Sequence, residues 1–83
     1  MGTKTTYVVQ GFEMKRGKLV PGKKEVAPTK AGAVKRAEAW GGRMPGAVAL
    51  MVVADDETGE VWTVTFVGTF GQVPDDFAER LMA

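Results

Sequence analysis

The chain has 83 residues, with eleven Lys and Arg against ten Asp and Glu and a net charge of +1. That length makes one domain, near the small end of what folds alone, where stability is often gained by oligomerising. Cys and His are absent, so there is no disulfide scaffold, no thiolate zinc site and no cysteine–histidine or serine–histidine nucleophile.

The near-zero total hides a polarity along the chain. Residues 1–43 carry ten Lys and Arg against three Asp and Glu, a net of +7; residues 44–83 carry one against seven, a net of −6. Three readings follow. The first half attracts an anionic partner, the unlike ends of two copies associate, or the two halves fold together and neutralise each other. The longest apolar stretch is about nine residues, against roughly 20 for a membrane-spanning helix, so no membrane span is expected. Met1 to Tyr7 lacks the apolar run of a signal peptide. The cysteine-free composition fits a reducing, cytoplasmic setting.

Thr5 to Met14 reads as a first strand. Tyr7 and Val9 fall on one parity and Val8, Phe12 and Met14 on the other, which leaves the buried face open. Gly11 marks a bulge. Lys15-Arg16-Gly17-Lys18 is a turn, with Gly17 at the position that needs positive φ. Lys18 to Ala27 is a second strand, completing a hairpin over 5–27. Pro21 and the pair Lys23 and Lys24 place it at a sheet edge, because proline removes a ladder donor and lysine discourages edge-to-edge pairing.

A helix follows over 29–41. Thr29 caps it, its hydroxyl accepting from a first-turn amide. Ala33, Val34, Ala37 and Trp40 recur at helical spacing, and Lys30, Lys35, Arg36 and Glu38 face out. Gly41-Gly42 ends it. The hairpin over 47–70 comes next and holds most of the apolar mass. Ala47 to Ala54 is apolar on both parities, the pattern of a strand buried on both sides. Asp55-Asp56-Glu57-Thr58-Gly59 is turn chemistry. In the returning arm Trp62, Val64, Phe66, Gly68 and Phe70 share one parity, which predicts one packed face and one half-wet face. Residues 74–82 predict a short second helix, with Phe77 and Leu81 as its seam.

The expected fold is α+β, one domain over 1–83: a four-stranded antiparallel sheet in the order ββαββ, with the main helix on one face and a short C-terminal helix. One alanine-lined helix is a thin cover for such a sheet. A homodimer is therefore expected, with exchange of elements between chains as one route. Val48, Leu50, Val52, Phe77 and Leu81 are its candidate interface.

Little in the chain carries chemistry. Asp55, Asp56, Glu57 and Glu60 are carboxylates of an exposed turn, not an unequal, part-buried acid–base pair. They also lack the ligand spacing of a calcium loop. No catalytic residue, metal, cofactor or small-molecule substrate is implied. The basic residues offer more. Lys15, Arg16, Lys18, Lys23 and Lys24 cluster in sequence around one turn and edge, and Lys30, Lys35, Arg36 and Arg43 extend the run, which fits a phosphate backbone. The competing reading is a solvated edge that resists aggregation.

Tyr-Val-Val-Gln-Gly-Phe-Glu at the start, Gly-Lys-Leu-Val after the first turn, the alanine-rich helix, Asp-Glu-Thr-Gly-Glu and the closing Phe-Gly-Gln-Val-Pro together resemble a family of small uncharacterised bacterial proteins, some of them prophage-borne. The resemblance spans nearly the whole chain. Its motifs are turns, caps and a packed strand, so it implies a fold and no functional residue. The first hairpin and helix are also similar to the small sheet-plus-helix DNA-binding domains of phage integrases, from which the second hairpin departs. The expected function is a non-enzymatic, cytoplasmic, homodimeric interaction module. The alternative is a nucleic-acid-binding protein that uses the basic hairpin.

Overall fold

The computed structural model describes residues 2–75 and 77. Its elements run β1 (Thr3–Lys15), β2 (Lys18–Ala27), α1 (Lys30–Gly41), β3 (Gly46–Asp55) and β4 (Val61–Gly71). The strands form one antiparallel sheet in the order β2-β1-β3-β4. β2 and β3 each run antiparallel to β1, so they are parallel to each other on its two flanks. Strands so related need a long crossover, and α1 supplies it. This is the α+β fold expected from the sequence, with β2 at an edge and β3 inside.

Local chemistry explains the joints. Arg16 and Gly17 both take positive φ, 52° and 77°, the requirement of a two-residue hairpin turn that follows the strand twist. Thr29 has extended backbone, and its Oγ1 accepts from the Gly32 amide at 3.0 Å. Asp55 Oδ1 accepts from the amides of Glu57 and Thr58 at 2.8 and 3.1 Å, and Gly59 closes that turn at φ 77°. The end of α1 differs from expectation. Gly42 caps it in a right-handed conformation, φ −81°, so the turn does not depend on glycine. Gly41 is needed for room instead: a Cβ there would stand 2.7 Å from the Cβ of Phe70.

The sheet separates two apolar clusters. On the helix side Val9, Ala27, Ala47 and Ala49 meet Ala33, Ala37 and Trp40 of α1. On the underside Phe12, Val48 and Leu50 meet Phe77, with Val8, Leu19, Val52, Val64 and Val73 alongside. Both parities of β1 are therefore used. Tyr7 and Val9 face the helix, and Val8 and Phe12 face away. β3 divides likewise, as a strand apolar on both faces must.

β4 departs from the single alternating pattern. Its register with β3 shifts between Ala49 and Leu50 and again between Val53 and Ala54. Each shift inserts one extra residue of β4, Val67 and Trp62 respectively. A bulge resets the alternation. Phe66 consequently meets Phe77 on the underside, while Phe70 packs on the helix side. The expectation that the two rings share a face is corrected by that extra residue.

The Cα envelope measures 43 × 26 × 16 Å. A thickness of 16 Å leaves room for one helix over one sheet, layers that pack about 10 Å apart. Among the described residues no second full layer covers the underside. The predicted terminal helix lies mostly outside the described residues, as does Leu81. Within it, the Phe77 amide donates to the Pro74 carbonyl at 3.1 Å.

Candidate functional site

Two surfaces merit the name of candidate site: the basic residues of the first hairpin and the apolar underside. The basic residues are not one patch. Lys15 and Lys18 pair across the hairpin end, beside Arg16 at its tip. Lys23 is on the helix side, its Nζ 5.0 Å from the ring centroid of Trp40. It also reaches Glu25 at 3.6 Å, and Glu25 is bound by Arg36 at 2.9 Å. Lys24 lines a trough on the opposite face. Adjacent strand residues point to opposite faces, so the sheet itself stands between these two lysines.

The helix-side hollow beneath Lys23 holds about 230 Å³ and is lined by Lys23, Trp40, Arg43 and Met44. Gly11 lets Met44 and Trp40 lie close on the strand: a Cβ there would come 2.5 Å from the Met44 sulfur. The two cations are exposed, and the ring of Trp40 is 5 % exposed as a residue. The hollow therefore offers a charged rim but little stacking surface.

The underside is more developed. A row of apolar side chains crosses all four strands in register: Val26, Val8, Leu50 and Phe66. A second row sets Thr6, Val52 and Val64 side by side. Between them and the Gly59 turn lies a trough of about 320 Å³, lined mainly by Val8, Leu50, Val52, Ala54 and Val61. Phe77 closes one end of this face. Among the described residues Val26 on this face is 64 % exposed and Phe66, beside Phe77, 39 %; Trp62, the extra residue of the second β4 bulge, is 53 % exposed.

The residues expected at an interface are divided by this arrangement. Val48, Leu50 and Phe77 are buried against one another within the chain. Val52 is half-buried and lines the trough. Leu81 lies outside the described residues. Among the described residues the large apolar side chains left exposed are Met14, Val26, Val61, Trp62 and Phe66, none of which sequence reasoning selected for an interface. The signal for three of them was present: β4 holds no charged residue and no proline over its eleven positions.

Gln10 was also missed. It is 6 % exposed, and its Nε2 donates to the carbonyls of Gly11, Gly22 and Lys23 at 2.8, 3.2 and 3.2 Å. At this point β1 and β2 lose register, between Gln10 and Phe12. The expected irregularity at Gly11 is there, with the extra residue on β2. The side-chain amide fills the gap and satisfies carbonyls that the ladder leaves unpaired.

Comparison with protein-family models, with curated proteins and with solved structures finds no match for this chain. The strand-strand-helix-strand-strand layout is thus the part of the family resemblance that stands. Among the described residues no helix is long and apolar enough to cross a membrane.

Proposed function

We propose that this chain is a non-enzymatic interaction module that works as a homodimer. One observation carries the reading: large apolar side chains stay exposed along the edge strand β4 and on the underside beside it, with Trp62 and Phe66 both more than one-third exposed. Scattered surface hydrophobics are ordinary, whereas a contiguous apolar patch with polar surroundings is the usual mark of a contact surface. A second copy is the partner that needs no other molecule, and a small domain gains stability from it. Absence of Cys, His and Ser from the sequence supports the non-enzymatic part. Origin in a bacterial or prophage family, and a cytoplasmic setting, belong to the same proposal; the layout and the cysteine-free composition support them.

The test is the mass in solution. Light scattering across a range of concentrations is expected to give twice the 8.9 kDa of one chain. A mass that stays at one chain at the highest concentration removes the homodimer.

Nucleic-acid binding is the second reading and has less support. Lys23 and Lys24 lie on opposite faces, and Lys23 is engaged with Glu25 and Trp40. Only Lys15, Arg16 and Lys18 remain together, at the hairpin tip.

A further inference from the structure

The two edges of the sheet are treated differently by the sequence. β2 carries Lys18, Lys23, Lys24, Pro21 and a bulge, the devices that stop a strand from pairing with another chain. β4 carries neither charge nor proline. Its two bulges are its sole device of that kind, and between them Thr63 to Phe66 pairs regularly with β3. Among the described residues, three of the five large apolar side chains left exposed, Val61, Trp62 and Phe66, belong to this one strand.

From this asymmetry we infer that the second copy pairs through β4, edge to edge and antiparallel, so that two four-stranded sheets become one of eight strands. The inference rests on the homodimer reading and states how the copies meet. Pairing of β2 with β2 would set lysines against lysines. Pairing of β4 with β2 is heterologous, does not close, and meets Pro21. Pairing of β4 with itself closes under a two-fold axis and brings no charges together within the strands.

The register follows from the pleat. Residues directly opposite in an antiparallel pair point to the same face, so the axis passes through a residue and not between two. Within the regular stretch an axis at Thr65 sets Thr65 against its own copy. It also sets Phe66 against the partner's Val64, both on the underside. Aromatic with β-branched and threonine with threonine are favourable cross-strand pairs. The axis is perpendicular to the sheet, so both helices lie on one side and the two undersides join into a single apolar floor.

The absence of Cys makes the test direct, since each variant then holds one thiol. Thr65→Cys, Thr63→Cys and Thr69→Cys are compared with Val8→Cys and Val52→Cys under mild oxidation. Opposed residues in such a pair are about 4.5–5.5 Å apart at Cα, within the reach of a disulfide. A cross-linked fraction highest at Thr65→Cys is the expected result. A dimer by light scattering that cross-links at Val8→Cys or Val52→Cys instead overturns edge pairing and spares the homodimer. A single-chain mass overturns both. Thr65→Lys is the second variant. Thr65 is exposed, so the folded circular-dichroism signal is retained while the mass falls to one chain; a mass still at two chains overturns the inference.

Discussion

The ring of Phe77 meets the ring of Phe12 edge-on, 4.8 Å apart at the centroids and at 88° between planes. Phe12 is wholly buried and Phe77 nearly so, so this pair is where the segment after β4 is fastened to the underside. Phe77→Ala removes a ring from a packed site and opens a void, at a cost of about 3 kcal/mol. In a domain of this size that lowers the melting temperature by roughly 10–20 °C. Phe77→Leu keeps part of the volume and loses less. Urea titration of the three proteins measures this, and a loss under about 0.5 kcal/mol for the alanine variant would show that the pair is not holding the segment.

Gln10 gives a prediction of different character. Gln10→Leu keeps the bulk but leaves the carbonyls of Gly22 and Lys23 without their donor, a loss of about 1–3 kcal/mol. Gln10→Glu adds a sign that depends on pH. A carboxylate there faces three carbonyl oxygens and accepts from none of them. Burial and those oxygens raise the folded-state pKa of the new group above its unfolded value, against a weaker downward pull from the exposed Lys24 opposite it in the ladder. The stability it contributes is then full below the unfolded value and lost as pH rises through the folded one. Relative to the unmodified chain, the variant should be close to normal near pH 4 and clearly weaker near pH 7. Equal deficits at both pH values would contradict the role assigned to the amide.

Gly41→Ala tests packing against propensity. Alanine is favoured over glycine in a helix by about 1 kcal/mol. At Gly41 the new methyl would stand 2.7 Å from the Phe70 Cβ, and overpacking of that kind costs about 1–3 kcal/mol. The expected net effect is destabilisation, and it should be smaller when Gly41→Ala is made in a Phe70→Gly background, which lacks the clashing Cβ. Stabilisation by Gly41→Ala alone would mean that α1 shifts freely over β4.

For the basic residues, changing Lys15, Arg16, Lys18, Lys23 and Lys24 to Glu one at a time is the informative series. If nucleic acid were bound by a single patch, all five would weaken binding at low salt to similar degrees. The structure places Lys23 and Lys24 on opposite faces, so the expected outcome is no common effect of these two on any binding to duplex DNA. Equal losses at Lys23 and Lys24 would revive the nucleic-acid reading.

How much of this was legible in the residues depends on whether the local chemistry announces itself. The turns and the helix start were, because Gly17, Gly59 and Thr29 each meet a requirement that few residues meet. The edge position of β2 was legible for the same reason, through Pro21 and its lysines. The faces of β4 were not. A bulge adds one residue without any particular residue type, and after Val67 every parity argument is inverted. The interface candidates suffered from a related problem. Val48 and Leu50 are strongly apolar, but the chain's own Phe12 and Phe77 already bury them in one cluster. Exposure fell to Trp62 and Phe66, where the strand bends. Gln10 was hidden because a polar residue in an apolar strand looks like a defect until the neighbouring carbonyls are seen.

The separation of Val9, Ala37 and Trp40 from Phe12, Leu50 and Phe77 by the width of one sheet has an effect on how the protein can change. One compartment sets the alanines of α1 and β3 around Trp40 and tolerates little added volume; the other is built on Phe12, Phe77 and branched chains. Substitutions such as Trp40→Phe above and Leu50→Ala below share no partner, so their energetic effects should sum to within about 0.5 kcal/mol. The upper compartment can then keep the chain folded while the lower one is free to drift toward whatever it must grip.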